Sequence, residues 1–240
     1  MIAFTLDTDW APLELVRGAI DLIHEAGCKV TVFCTDRLEI EADEIAIHPN
    51  FTDLSDLAAP IGELKQIYPQ ARGLRSHALL FTERFRPLYD EFQLSYDANA
   101  MQYLAPGIQP TRIARRTVSL PLFFMDRFHM EMAADREDRW CADDLPLKSP
   151  GLKIFDFHPI HLFLNTPNVA WYERAKPFYH EPNRLRDYVA DGPGARTLLV
   201  DLLHAVRSRG LPTLTLSEIE RTVRPQLDEV TAHAGDTAWK

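Results

Sequence analysis

The pattern of apolar and polar positions predicts a strand, a helix and a second strand within the first 36 residues. Residues 1–7 form a short apolar segment whose side chains alternate between two faces, as in a β-strand. Residues 11–26 repeat apolar side chains at helical spacing, and Gly27 can end that helix. Residues 28–36 are rich in β-branched and aromatic side chains. This order predicts a βαβ unit with parallel strands and a right-handed crossover.

The same alternation continues along the chain and predicts an α/β barrel or a doubly wound sheet. Residues 125–149 are irregular and charged, and we predict a loop with one helix there. We expect a single domain over residues 1–224, followed by a polar C-terminal tail over residues 225–240. The further predicted strands are residues 44–50, 72–77, 92–98, 117–124, 152–161 and 211–219, and the further predicted helices are residues 54–68, 82–91 and 197–210.

Composition and charge narrow the class of partner. The 240 residues are 46% hydrophobic, which is enough for one sizeable core. The formal net charge of −9 argues against nucleic acid or an anionic membrane as a partner, because such surfaces need clustered Lys and Arg. We therefore expect a small-molecule or neutral substrate. The composition does not predict the oligomeric state.

The cysteines and the apolar runs indicate the cellular compartment of the protein. The three cysteines, Cys28, Cys34 and Cys141, form no CxxC pair and are odd in number, which favours a reducing compartment. No apolar run approaches the ~20 residues of a membrane helix, and the first residues do not resemble a signal peptide. We expect a cytoplasmic protein.

Polar side chains follow the predicted strands repeatedly. Asp7 and Asp9 end the first strand on the same face, and two like charges there require a cation, a proton or solvent to compensate them. In parallel α/β folds, functional groups gather at the carboxyl ends of the strands. A single polar residue at a strand end more often lies on the solvated rim of a fold than in a functional site. Here, however, many predicted strands end in polar residues. The other strand-end residues are Asp36, His48, Asn50, Arg75, His77, Asp97, His158 and His161.

These residue types can support metal-assisted hydrolysis of an amide or ester. A borderline ion such as zinc takes imidazole and carboxylate ligands, and Asp9 and His48 supply both. Asp7 is the candidate general base, and a nearby Arg75 would keep it ionised. His158 is the candidate for protonating the leaving nitrogen.

The strand-end segments occur in an order that resembles the motif series of polysaccharide deacetylases with NodB homology, which are metal-dependent enzymes that remove N-acetyl groups from sugars. The segments are TLDTDW, KVTVFCTD, EIAIHPNF, GLRSH, SYDAN, LPLFF and FDFHP. The resemblance runs from about Met1 to about His161. It implies a distorted (β/α) barrel with seven or eight parallel strands.

The resemblance also implies a role for each residue that matches a family motif. The first acid of the first motif, the catalytic base, falls on Asp7, and the metal-binding acid falls on Asp9, with one residue interposed where the commonest motif has adjacent acids. The metal-binding histidine falls on His48. The arginine that steadies the base falls on Arg75, and the general acid falls on His158.

One metal ligand of the family pattern is missing from its usual place. The family has a second histidine four residues after the first, and that position is Thr52 here. Asp53, Asn50 or His77 can replace it. We favour His77, because it lies two residues after Arg75 and so on the same face of a predicted strand.

Four further residues are candidates for contact with the substrate. Trp10 directly follows the acids and is expected to form a wall of the pocket. Asn50, Asp97 and His161 lie at strand ends, although a turn role for Asp97 and a rim position for His161 remain open.

The prediction is therefore a metal-dependent hydrolase that removes an N-acetyl group from a sugar or sugar precursor, in surface-polysaccharide biosynthesis. It would use one divalent ion, zinc in the first place, with manganese, cobalt or nickel as alternatives. Two other hypotheses remain open. One is a hydrolase of another linear amide or an ester, and the other is a catalytically inactive barrel that binds a sugar.

Overall fold

One sheet carries the fold of this computed structural model, which describes residues 1–136, 140–143 and 145–236. The strands found in those residues are β1 (Ile2–Asp7), β2 (Val30–Cys34), β3 (Glu44–Ile47), β4 (Gly73–Leu74), β5 (Tyr96–Asp97), β6 (Thr111–Arg112), β7 (Val118–Ser119), β8 (Phe124–Met125) and β9 (Lys153–Phe157). Their order in the sheet is β6-β7-β5-β4-β3-β2-β1-β9-β8. All neighbouring strands are parallel except the edge pair β6 and β7.

Helices connect and cover the strands. α1 packs against α5, and α5 packs against α8. Among the described residues, none of the helices combines the length and the apolar character that crossing a membrane requires. The helices are α1 (Leu13–Glu25), α2 (Ala58–Ile67), α3 (Phe85–Glu91), α4 (Asp126–Met132), α5 (Pro159–Leu164), α6 (Val169–Ala175), α7 (Pro182–Leu185), α8 (Ala195–Ser208) and α9 (Leu216–Asp236).

The sheet is curled into a distorted, open barrel. Arg75 directly follows β4, and its Nη1 lies 2.5 Å from Oδ1 of Asp156 in β9. Four strand spacings separate β4 from β9, which is roughly 19 Å in a flat sheet. An arginine side chain cannot span that distance, so the sheet must bend around the guanidinium. With the eight mutually parallel strands from β7 to β8, the described residues confirm the expected barrel.

The first 36 residues form the predicted βαβ unit. β1 pairs in parallel with β2, with Phe4 opposite Val30. α1 lies between these two strands in the sequence and buries one apolar face. Gly27 follows the helix with a φ of +70°. That left-handed conformation carries no Cβ penalty in glycine, so the residue ends the helix as expected.

Proline explains two differences from the predicted strands. Residues 117–124 do not form one strand, because Pro121 lacks an N–H for the ladder and separates β7 from β8. The strand predicted over residues 152–161 ends at Phe157, because Pro159 begins α5. His161 therefore lies on a helix rather than on a strand.

The strand predicted over residues 211–219 is wrong. Only Thr213 of that segment bridges to the sheet, and α9 begins at Leu216. The cause is a reciprocal helix cap: Glu218 accepts a hydrogen bond from the Thr215 N–H at 2.9 Å, and the Glu218 N–H donates to Thr215 Oγ1 at 3.3 Å. Local capping therefore overrides the alternating pattern.

Two further predicted segments take a different form. The strand predicted over residues 72–77 stops at Leu74, and His77–Leu79 form a 3₁₀ turn. The predicted domain boundary at residue 224 falls inside α9. Residues 237–240 of the predicted tail, and residues 137–139 and 144 of the predicted loop, lie outside the described residues.

Candidate active site

A cleft of about 910 Å³ opens at the carboxyl ends of the strands. Its floor holds the acids and histidines that follow β1, β3 and β9, and one of its walls comes from the helical segment over residues 169–188, which contains α6 and α7. This is the end of an α/β barrel at which functional groups gather. The residues that line the cleft include Asp7, Asp9, Trp10, His48, His77, Met125, Arg127, His158, His161, Tyr172, Lys176, Tyr179 and His180.

Asp9 meets two histidines on the floor of the cleft. Its Oδ1 lies 3.2 Å from Nε2 of His48 and 3.2 Å from Nδ1 of His77. His48 directly follows β3, and His77 begins the 3₁₀ turn after β4. The structure thus brings together the three residues that the sequence analysis named as metal ligands, although His77 reaches the site from a turn and not from a strand face.

This trio fits a divalent cation. One carboxylate and two imidazoles are the donor set of many catalytic zinc sites, and their candidate ligand atoms all lie within 4.8 Å of one another. Burial opposes ionisation of Asp9, but the hydrogen bonds with His48 and His77 outweigh it and hold the pKa of the carboxyl below its ordinary value. The acid is therefore available as an anionic ligand.

Two other groups of acids and histidines also have candidate ligand atoms within 4.8 Å of one another, but their acids are already bound by other groups. In the group of Asp126, His158 and His161, all three residues are buried and both oxygens of Asp126 accept hydrogen bonds from backbone N–H groups, those of Arg127 and His158. In the group of Asp7, Asp156 and His158, the guanidinium of Arg75 contacts both acids. Among the described residues, the trio at Asp9 is therefore the best candidate for an added cation.

Asp7 is held by a buried arginine. Arg75 Nη1 donates to Asp7 Oδ1 at 2.7 Å and to Asp156 Oδ1 at 2.5 Å. The guanidinium also lies 4.1 Å above the ring of Phe33, and its Nε donates to the Ala98 carbonyl. Because Arg75 contacts Oδ1, the second oxygen of Asp7 is left on the side of His48, 3.7 Å from Nε2. Arg75 therefore occupies the place expected of a residue that orients the base.

Asp156 completes this network. Its Oδ1 also accepts a hydrogen bond from Thr5 Oγ1 at 2.6 Å. Burial raises the pKa of Asp156 above its ordinary value, and the positive charge of Arg75 offsets part of that rise. The acid is fully buried, so its role is to hold Arg75 rather than to meet substrate.

His158 forms a pair with Asp126 at the same end of the barrel. Nδ1 of His158 lies 2.7 Å from Asp126 Oδ1, which leaves Nε2 pointing towards Asp9, 3.4 Å from its Oδ2. Burial opposes the charged imidazolium, but the carboxylates of Asp126, Asp9 and Asp156 outweigh it and raise the pKa of His158 well above its ordinary value. A protonated His158 can donate from Nε2.

The predicted substrate contacts divide into two pairs. Trp10 and His161 line the cleft: Trp10 is 39% exposed and packs on the ring of His77, while His161 is buried beside Tyr172. Asn50 and Asp97 are not among the lining residues. Asp97 is buried and accepts hydrogen bonds from the Tyr89 hydroxyl at 2.6 Å and from the Asn99 side chain at 2.5 Å. Asp97 also accepts a hydrogen bond from the Asn99 backbone N–H at 2.9 Å, so its placement favours the turn role that the sequence left open over a contact with substrate.

Sequence reasoning missed two residues of this site. Asp126 follows the apolar strand β8 and so carries the same strand-end signal as Asp7, but the charged sequence over residues 125–149 predicts an irregular loop there. Tyr179 donates from its hydroxyl to the Asp9 carbonyl at 2.9 Å. No sequence signal marks Tyr179, because its partner is a backbone atom 170 positions away.

Comparisons with known proteins point to one family. A family model described as WbmS-like polysaccharide deacetylase matches residues 4–176. Two solved structures described as that of a "putative polysaccharide deacetylase" are similar to this chain. The first, from Bordetella bronchiseptica and described as involved in O-antigen biosynthesis, is 26% identical, with 85% of this chain and 90% of that chain covered and a TM-score of 0.74.

The second solved structure, from Mycobacterium smegmatis, is 14% identical, with 94% of this chain and 90% of that chain covered and a TM-score of 0.53. At that identity it shows a common fold alone. No curated protein matches the chain.

Proposed function

The chain belongs to the family of WbmS-like polysaccharide deacetylases, and on that premise we propose that it is a metal-dependent hydrolase that removes an N-acetyl group from a saccharide. The observation that carries the proposal is the convergence of His48 and His77 on one oxygen of Asp9, at the floor of the cleft. A candidate acid, His158, lies 3.4 Å from the other oxygen of Asp9, and a candidate base, Asp7, lies beside His48.

We assign Asp9, His48 and His77 as the ligands of one divalent ion, with zinc as the first candidate and manganese, cobalt or nickel as alternatives. Such an ion, when bound, lowers the pKa of a coordinated water and polarises an acyl oxygen. His77 takes the place of the histidine that the family pattern puts at Thr52.

Asp7 is the proposed general base. Its Oδ1 is fixed by Arg75, and its Oδ2 lies on the cleft side near His48, where it can accept a proton from water. Arg75 is a positioning residue, since it is fully buried and reaches no substrate. Its guanidinium holds Asp7 in place through Oδ1.

His158 is the proposed general acid. Asp126 binds Nδ1 and holds the imidazolium, so Nε2 remains to donate a proton to the departing amine nitrogen. Asp7 and His158 both lie beside Asp9, the first across His48 and the second through its own Nε2. Asp7 can therefore accept a proton from water, and His158 can donate one to the amide nitrogen from a different direction.

The family and the cleft support a saccharide as the substrate. A relative with 26% identity is described as involved in O-antigen biosynthesis, and we propose a sugar precursor of a surface polysaccharide as the substrate. Trp10, exposed at the cleft rim, offers an apolar ring to a sugar face.

Acetate release tests this function. Protein loaded with zinc is incubated with N-acetylglucosamine oligosaccharides and with a nucleotide-linked N-acetylglucosamine, and acetate is measured by proton NMR. We expect release by the parent protein, a loss of about 100-fold or more for Asp7→Asn, and no change for Asp21→Asn, an exposed aspartate of α1. Saccharide binding without acetate release, and unaffected by chelator, would instead identify an inactive binding barrel.

A further inference from the structure

The backbone at Asp9 has an unusual conformation. Asp9 and Trp10 have φ values of +43° and +59°, and neither is glycine. The Ala11 N–H donates to the Thr8 carbonyl at 2.7 Å, which closes a four-residue turn around them. Two positive φ values at the centre of a turn are the mark of type I′, in which the second position strongly favours glycine. Trp10 therefore makes this turn strained, and neighbouring groups must hold it.

One set of contacts holds the turn from the side of β2. The Trp10 N–H donates to Thr35 Oγ1 at 3.0 Å, and the hydroxyls of Thr8 and Thr35 lie 3.0 Å apart. The Trp10 N–H belongs to the same peptide group as the Asp9 carbonyl, so Thr35 holds the N–H edge of that group. The carbonyl edge is left for another partner.

The Asp9 carbonyl is bound from the opposite side of the cleft. The Tyr179 hydroxyl donates to it at 2.9 Å. Tyr179 belongs to the helical segment over residues 169–188, whose other side chains, including Tyr172 and Lys176, line the cleft. It lies beyond residue 176, where the match to the family model ends. The contact therefore joins the cleft wall to the turn that carries the candidate metal ligand.

We propose that Tyr179 is a positioning residue that holds Asp9 in its left-handed conformation and so keeps the carboxylate on His48 and His77. The inference rests on the proposed function, since it takes Asp9 as a metal ligand. Without the hydroxyl, the turn can relax towards an unstrained conformation, and the direction of the Asp9 side chain changes with its backbone. The hydroxyl acts on the metal site only through Asp9.

Tyr179→Phe is the direct test, because it removes one oxygen and keeps the ring. Tyr188→Phe is the matched control: Tyr188 lies in the same segment, is likewise half-buried and packs its ring on Phe178. The zinc dissociation constant is measured by competition with a chelating dye. Partners that orient metal ligands are worth about 10- to 100-fold in metal affinity, so we expect at least a tenfold loss for Tyr179→Phe and less than a twofold change for Tyr188→Phe.

A second readout needs no metal. Hydrogen exchange of the Ala11 amide, which closes the turn, is measured by NMR in the zinc-free proteins. We expect about tenfold faster exchange in Tyr179→Phe and no change in Tyr188→Phe, because opening of a local element sets its exchange rate. Thermal unfolding midpoints of the two variants should agree, which separates this effect from a general loss of stability.

The outcomes separate this inference from the proposed function. If the parent protein binds zinc and Tyr179→Phe binds it equally well, with the same Ala11 exchange, the inference fails and the proposed function stands. If the parent protein binds neither zinc nor manganese, cobalt or nickel, the proposed function fails together with the effect on metal affinity. Unchanged Ala11 exchange in Tyr179→Phe overturns the inference in either case.

Discussion

Asp126 binds His158 through both of its oxygens: Oδ1 lies 2.7 Å from the imidazole Nδ1, and Oδ2 accepts the His158 backbone N–H at 2.8 Å. Both side chains are buried. The two contacts fix the imidazole ring relative to its own backbone, and because an ionised carboxylate only accepts, Nδ1 carries a proton. His158 is thereby left with Nε2 as the nitrogen that can act in the cleft.

Asp126→Asn should lower the pKa of His158, since it removes the negative charge that stabilises the imidazolium. A general acid works only when protonated, so activity is lost as the pH rises through its pKa. The alkaline limb of the pH–rate profile for acetate release should therefore move to lower pH, and kcat at pH 8 should fall by about tenfold or more.

The control for that variant is Asp201→Asn, on the exposed face of α8. It makes the same chemical change away from the cleft and should leave the profile unchanged. An alkaline limb that stays in place in Asp126→Asn, with kcat intact, would contradict the assignment of His158 as the acid held by Asp126.

Arg75→Met should destabilise the fold strongly. The buried guanidinium contacts Asp7 and Asp156, and its removal leaves two buried acids without their cation. Breaking a buried ion pair from one side costs about 3–5 kcal/mol, so we expect the free energy of unfolding in urea to fall by that amount. Arg207→Met, at an exposed position of α8, should change it by less than about 0.5 kcal/mol.

A second substitution sharpens the result. Adding Asp156→Asn to Arg75→Met removes one of the uncompensated acids, and part of the lost stability should return. If the double variant is less stable than Arg75→Met alone, the destabilisation does not come from unpaired buried charge.

His161 should make the fold sensitive to acid. Burial lowers its pKa to about 4, below the ordinary histidine value of ~6.5. The folded state then favours the neutral ring, so this stabilisation is present above pH 6.5 and is lost as the pH falls from 6.5 towards 4. Between pH 7 and pH 5 it should lower the free energy of unfolding by about 2 kcal/mol.

His161→Gln provides the comparison, because glutamine does not titrate in this range. The loss of stability between pH 7 and pH 5 should be smaller in His161→Gln than in the parent protein, as measured by urea unfolding at each pH. Equal losses would show that His161 is not the group that takes up the proton.

The sequence predicts the barrel and the cluster of site residues because both follow from short-range patterns. Asp7 ends the apolar strand β1 and His48 directly follows β3, and parallel strands bring such positions to one edge of the sheet. The pattern cannot show whether a strand-end acid faces the cleft or another element. Asp97 ends a strand as Asp7 does, yet its carboxylate accepts a hydrogen bond from Tyr89 of α3.

Other features depend on backbone conformations that the residue types do not suggest. His77, whose Nδ1 lies 3.2 Å from Asp9, directly precedes Ala78 and Leu79, which have φ values of +58° and +54° although neither is glycine. Trp10 likewise stands where a turn favours glycine. Such positions are stabilised by distant groups, which a local pattern cannot reveal.

Metal content tests the central claim most directly. Four proteins are purified without chelator, dialysed against zinc and analysed for bound metal. They are the parent protein, His48→Ala, His77→Ala and the control His204→Ala, which lies at an exposed position of α8. The geometry at Asp9 predicts about one equivalent in the parent protein and in His204→Ala, and a loss in His48→Ala and His77→Ala. A parent protein that takes up neither zinc, manganese nor cobalt would contradict the metal-dependent mechanism.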